Sequence, residues 1–192
     1  MLKKIAITGN LGSGKSEALK IFKKLGSFIV DADKIAHDLL ENDEDLKNRT
    51  KTLLGNEIFE NGKIDRKKIA KIVFSNDDKL KKFEKLIHPK ILNEIENFYE
   101  KVKNQNFEFF VVEIPLLFEI KGQSYFDIVI TISIKDMIAK KRYKDKDYNL
   151  RIKKQMPNVE KEKLSDFVIE NNQSISALED SIKKLSKTLK NL

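Results

Sequence analysis

The chain has 192 residues, 40% of them apolar, which suffices for one α/β core with a modest insertion but not for two large independent domains. There is no cysteine, so disulfides, thiolate metal sites and cysteine nucleophiles are excluded, and the longest apolar runs are of strand length, too short to cross a bilayer. The net charge of +8 is almost all lysine, dispersed among acids along helical stretches, with arginine only at Arg49, Arg66, Arg142 and Arg151; that is the pattern of solvated helix faces rather than of a nucleic-acid groove.

The first element is the most informative. Residues 5–8 form a short apolar run that leads into Gly9-Asn10-Leu11-Gly12-Ser13-Gly14-Lys15-Ser16, with a helix-forming stretch over 15–25 behind it. This is the spacing of a phosphate-binding loop in the strand-to-helix context that the motif requires. Its glycines let successive N–H groups curl toward phosphate oxygens, and the helix N-terminus adds partial positive charge. Lys15 is expected to reach the β- and γ-phosphates and the Ser16 hydroxyl to ligate Mg²⁺. The chain is expected to bind a nucleoside triphosphate.

The second strand, 28–31, ends in Asp31-Ala32-Asp33 before a helix over 35–40. In an open α/β sheet, ligands bind at the C-terminal edge of the strands. A carboxylate there can prepare an attacking hydroxyl, while an aspartate before a helix is also a good N-cap. Strand alternation would point the two aspartates in opposite directions, leaving open which one works. Residues 42–104 show no convincing strand, and helices over 46–54, 67–73, 79–87 and 90–102 read as an insertion. His88-Pro89 suits the first turn of the last of these, and an isolated histidine at such a place is more often structural than functional.

Three further strands, 109–114, 128–132 and 167–169, are continuously apolar, as in a parallel sheet covered on both faces. Glu113 closes the first of them, in the place of the acid that faces the Mg²⁺ shell in phosphate-loop enzymes. The apolar loop after it ends in Glu119, which is either a second acid at the sheet edge or a plain surface acid. Beyond a helix over 136–142, the charged stretch 140–155 reads as a basic lid over the triphosphate. A last helix covers 176–189. The expected fold is α/β: a five-stranded parallel sheet with helices on both faces, a nucleotide core of residues 1–41 and 105–192, a helical substrate-binding insertion of 42–104, and a short lid.

Taken together, ITGNLGSGKS, VDADKIAH, LIHPKI, EIPLLFE, QMP and DFVIENN resemble the dephospho-coenzyme A kinase family, in its order and approximate spacing from end to end. The resemblance implies transfer of the γ-phosphoryl of ATP to the 3′-hydroxyl of dephospho-coenzyme A, with Mg²⁺, as the last step of coenzyme A synthesis. It makes Asp33 the catalytic base, gives Lys15, which neutralises the transferring phosphoryl, and the backbone of residues 11–16 to ATP, and makes Ser16 the Mg²⁺ ligand. It places Thr8, His37, His88, Leu116 and Glu119 around the acceptor, and Asn171-Asn172 near the adenine, with Gln155, Lys161 and Asp166 leading into the last strand.

Three departures from the family pattern stand out. Asn10 replaces a glycine, which asparagine's access to left-handed angles would allow. Glu113 replaces the commoner aspartate, and His37 stands where many members have arginine. In the lid, Lys140 and Lys144 fall at arginine positions, with Arg142 between them and Arg151 the preferred ATP clamp. A nucleoside monophosphate or gluconate-like kinase is the nearest alternative; a GTPase is excluded by the missing guanine motif. No nucleic acid or membrane partner is expected. A cytoplasmic protein, favoured as a monomer, is the simplest expectation.

Overall fold

The computed structural model describes residues 1–143 and 148–192, with the side chain of Leu150 left out. Its elements run β1 (Lys4–Thr8), α1 (Lys15–Lys24), β2 (Phe28–Asp31), α2 (Ala32–Asn42), α3 (Glu44–Leu54), the two-residue strands β3 (Phe59–Glu60) and β4 (Lys63–Ile64), α4 (Arg66–Phe74) and α5 (Asp77–Val102). They continue with β5 (Phe110–Glu113), β6 (Ile128–Ser133), α6 (Asp136–Arg142), α7 (Tyr148–Ile152), α8 (Asn158–Leu164), β7 (Phe167–Glu170) and α9 (Ile175–Lys190).

The chain divides into two compact units, Met1–Asp31 with Tyr99–Leu192, and Ala32–Phe98, the second cut falling inside α5. The first unit holds the expected five-stranded sheet, in the order β2-β5-β1-β6-β7 with every pair parallel. Valine and isoleucine dominate its strands, and all of β5 and β6 is buried, as a sheet sandwiched between helices demands. On one face, Ile5, Ile7, Val111, Ile130 and Ile132 pack with Ile21 and Phe22 of α1 and Leu178 and Ile182 of α9. Truncating the fully buried Phe22 to alanine would cost about 3–5 kcal/mol. The other face is closed by α8, packed on β6, and by Tyr99, whose ring meets Phe110 edge-on at 5.4 Å while its hydroxyl donates to the Leu2 carbonyl at 2.9 Å.

The second unit is built on amphipathic helices whose ends are set by local chemistry. The Asp43 carboxylate accepts from the Leu46 N–H to cap α3, and Asp65 caps α4 by accepting from Lys67 and Lys68. Leu46, Leu54, Ile58, Ile69 and Val73 make up much of its interior. Two sequence expectations fail here. The stretch expected to lack strands carries the antiparallel β3–β4 hairpin, turned through Asn61 (φ 50°) and Gly62 (φ 78°). The helices expected over 79–87 and 90–102 are one helix, with Pro89 inside it. A proline forfeits one backbone hydrogen bond, which apolar residues recurring on one face, Ile87, Ile91 and Ile95, offset by their burial.

Candidate active site

The phosphate loop joins β1 to α1. Thr8, the last residue of β1, is fully buried, and the chain then turns through Gly9, Gly12 and Gly14, all at positive φ. None of these three positions has room for a side chain: a Cβ at Gly9 would collide with the Ile132 carbonyl of β6. A Cβ at Gly12 would meet the Ala139 carbonyl of α6 at 2.9 Å, and one at Gly14 would collide with the Asn171 amide. Asn10 is different: among the described residues the non-glycine positive φ values belong to Asn61 and Lys121. The expectation that Asn10 exploits a left-handed conformation is therefore wrong, since it occupies ordinary backbone space that any residue adopts.

The first turn of α1 has no side-chain cap, so its N–H groups are left for a ligand. Lys15 is 93% buried, at 7% exposure, and its ammonium donates to the Asn10 carbonyl at 3.3 Å, folding back over the loop. The Ser16 hydroxyl donates to Glu113 Oε1 at 3.2 Å, which brings together the expected Mg²⁺ ligand and the acid at the end of β5. The other oxygen of that carboxylate, Oε2, is also buried.

The loop is braced from later parts of the chain. The Asn171 amide donates to the Ser13 carbonyl at 2.8 Å, and the Leu11 N–H donates to Gln155 Oε1 at 3.0 Å. Asn171, expected near an adenine, thus holds the phosphate loop itself. In the stretch expected to form a lid, Arg142 closes α6 and donates to the Gln173 carbonyl at 3.2 Å, while Arg151 on α7 and Lys140 on α6 are exposed. Lys144 lies outside the described residues.

Residues 115–119 leave β5 at the edge where the phosphate loop leaves β1. The Pro115 carbonyl accepts from the Thr8 hydroxyl at 3.3 Å and from the Lys161 ammonium at 2.7 Å. Lys161 also pairs with Glu119 Oε1 at 3.0 Å, an oxygen that accepts the Met156 N–H at 2.7 Å as well. The Lys161 side chain is fully buried, and burial pushes its ammonium pKa down against the opposing pull of Glu119. Lysine in an amphipathic helix reads as a surface residue, so nothing in the local sequence announces this burial. Leu116 is half-buried, and Glu119 Oε2 is buried with no partner.

The remaining expected site residues belong to the helical unit. Asp31 ends β2 whereas Asp33 sits in the first turn of α2, so strand alternation does not relate the two aspartates. His37, one turn further on, has Nε2 3.8 Å from Glu41 Oε2. It lines a cavity of about 240 Å³ with Lys47, Lys63, Arg66 and Phe59. His88, in the middle of α5 rather than at its start, is half-buried, and that burial holds its imidazole pKa below the usual value.

The profile of the dephospho-CoA kinase family matches residues 3–177. A dephospho-CoA kinase of Protochlamydia amoebophila is 38% identical over 198 residues, covering 98% of this chain and 97% of that protein. One of Leptospira interrogans is 37% identical over 192 residues, covering 96% and 92%. Among solved structures, a dephospho-CoA kinase from Campylobacter jejuni superposes with a TM-score of 0.75 at 28% identity, covering 100% of this chain and 98% of that one. A Thermus thermophilus protein reaches 0.80 at 29% identity, covering 98% of each chain. A shikimate kinase from Acinetobacter baumannii, at 14% identity and a TM-score of 0.51, shares the fold. With a sheet, a phosphate loop and a match that runs nearly from end to end, the chain belongs to the dephospho-CoA kinase family.

Proposed function

We propose that the protein transfers the γ-phosphoryl group of ATP to the 3′-hydroxyl of dephospho-coenzyme A, giving coenzyme A and ADP. The observation that carries this reading is the uncapped α1 N-terminus with buried Lys15 folded over the loop, in a chain matched across residues 3–177 by the family profile. Phosphoryl transfer passes through a loose transition state with charge spread over the γ-phosphoryl oxygens, so catalysis is mostly placement of positive charge. The N–H groups of residues 11–16 and the Lys15 ammonium supply that charge. Arg142 and Arg151 add to it from the lid, with Arg151 as the ATP clamp.

Ser16 and Glu113 are the residues that would hold Mg²⁺. The buried Glu113 carboxylate, which accepts from the Ser16 hydroxyl at 3.2 Å, fits a group that would bond to water of a hydrated cation. When bound, the ion neutralises charge on the β- and γ-phosphate oxygens. Asp33 accepts the proton of the 3′-hydroxyl and aligns it for attack. Thr8, Leu116, His37 and His88 are the further residues proposed to contact the acceptor. The Lys63 and Arg66 charges beside His37 suit the acceptor's diphosphate.

The test is ADP release with ATP and Mg²⁺, comparing dephospho-coenzyme A with AMP, CMP, UMP, gluconate and no acceptor. Turnover with dephospho-coenzyme A alone, and coenzyme A as product, is the expected outcome. Turnover with a nucleoside monophosphate instead would keep the phosphoryl transfer and reject the acceptor.

A further inference from the structure

A lysine with no solvent-exposed side-chain surface needs a reason. Lys161 lies on α8, a helix of seven residues, and its ammonium reaches inward to the Pro115 carbonyl at 2.7 Å and Glu119 Oε1 at 3.0 Å. Taking an ammonium and a carboxylate out of water together gains little stability, and apolar residues of similar volume often serve as well or better. The return on such a pair is geometric: it allows one arrangement of the groups it joins.

Those groups are informative here. Both ends of the 115–119 loop are held, Pro115 by Thr8 and Lys161, and Glu119 by Lys161 and the Met156 N–H. The residue before Met156 is Gln155, whose side chain accepts from the Leu11 N–H of the phosphate loop. Two consecutive residues thus tie the phosphate loop to one side and the 115–119 loop to the other, and Lys161 locks the second tie. The Glu119 carboxylate is turned into this network, with one oxygen engaged twice and the other buried, so it is not presented to a substrate.

We infer that Lys161 and Glu119 are positioning residues for phosphoryl transfer: their buried ion pair fixes the 115–119 loop in register with the phosphate loop through Gln155 and Met156. The inference rests on the phosphoryl-transfer reading above. Its physical basis is that reacting groups misplaced by about 1 Å can lose ~10²-fold in rate without losing the fold.

The experiment compares wild type with Lys161→Met, Glu119→Met and the double variant, reading Tm, kcat, and KM for ATP and dephospho-coenzyme A, each well below the variant's Tm. Each single variant leaves one buried charge unpaired and is expected to lower both Tm and kcat. The double variant is expected to regain Tm, because both charges are gone, while kcat stays down by ~10²-fold and KM for ATP changes little. A double variant that recovers kcat together with Tm would overturn the inference and leave the pair a packing element. So would single variants that lose Tm but keep wild-type kcat. Absence of turnover by the wild type with dephospho-coenzyme A would instead reject the reading on which the inference rests.

Discussion

The two units of this chain handle charge in opposite ways. In the sheet unit, several polar groups are carried inside on named partners: Lys15 on the Asn10 carbonyl, Asn171 on Ser13, Lys161 on Glu119 and Pro115. In the helical unit, charge stays near water. Lys90 bridges Asp43 at 2.6 Å and Asp45 at 3.1 Å, and Lys47 meets Glu44 and Lys82 meets Asp78 one turn apart, all partly exposed. Exposed pairs contribute roughly 0–1 kcal/mol in general, whereas stripping a partner from a buried charge costs several times that. The unit that holds the triphosphate loop accepts the cost of internal charge, and the helical unit avoids it. Placement of charge, rather than stability, is what distinguishes the first.

The largest expected effect tests that claim at the phosphate loop. Lys15→Ala removes a buried cation whose ammonium donates to the Asn10 carbonyl of the loop, and its main effect is expected on turnover. Turnover is expected to fall by ~10²–10³, the range seen when one preorganised electrostatic contact is lost. Steady-state kinetics with a parallel melting curve checks it, and a variant that unfolds without a kinetic defect at lower temperature would break the comparison.

Gly14→Ala probes the same region through the backbone. Its φ of 91° is one that L side chains rarely adopt, and the new methyl would collide with the Asn171 amide that holds Ser13. The backbone strain alone is worth about 1–3 kcal/mol. Lower stability is expected along with a raised KM for ATP, because the strained group lies in the loop proposed to cradle the nucleotide. A melting curve in the presence and absence of ATP separates the two contributions.

How much of this was legible in the sequence follows the same division. The strands, their parallel pairing and the phosphate loop could be read because they are local: a run of valine and isoleucine, or glycines at a fixed spacing before Lys15. The β3–β4 hairpin could not, since two-residue strands carry no periodicity. The continuity of α5 through Pro89 was hidden by a residue that elsewhere starts helices. Asn10 misled because asparagine in place of a glycine suggests a left-handed angle that the loop does not require there. Lys161 was hidden for a different reason. Its partner Pro115 lies 46 positions away, and only the tertiary structure turns a surface-type residue into a buried one.

His88 is where the comparison between the units is most open to attack. In the helical unit, Asp43, Asp78 and Lys90 are held in their charged forms by hydrogen-bonded partners, chiefly one another or Lys82. His88 alone among the described groups there has a pKa moved by burial, and moved down. The unfolded imidazole binds its proton near the usual 6.5, while the folded one resists until lower pH. As pH falls below about 6.5, the unfolded chain therefore takes up a proton that the folded chain does not, and stability declines; above that value the group contributes no pH dependence. His88→Gln is expected to flatten this part of the stability profile between about pH 7 and 5 without altering the slope above it. Denaturant titrations across that range read the difference between variant and wild type directly. A difference that stays constant with pH would show that His88 protonates freely in the folded chain, and the helical unit would then hold no buried charge-sensitive group among those described.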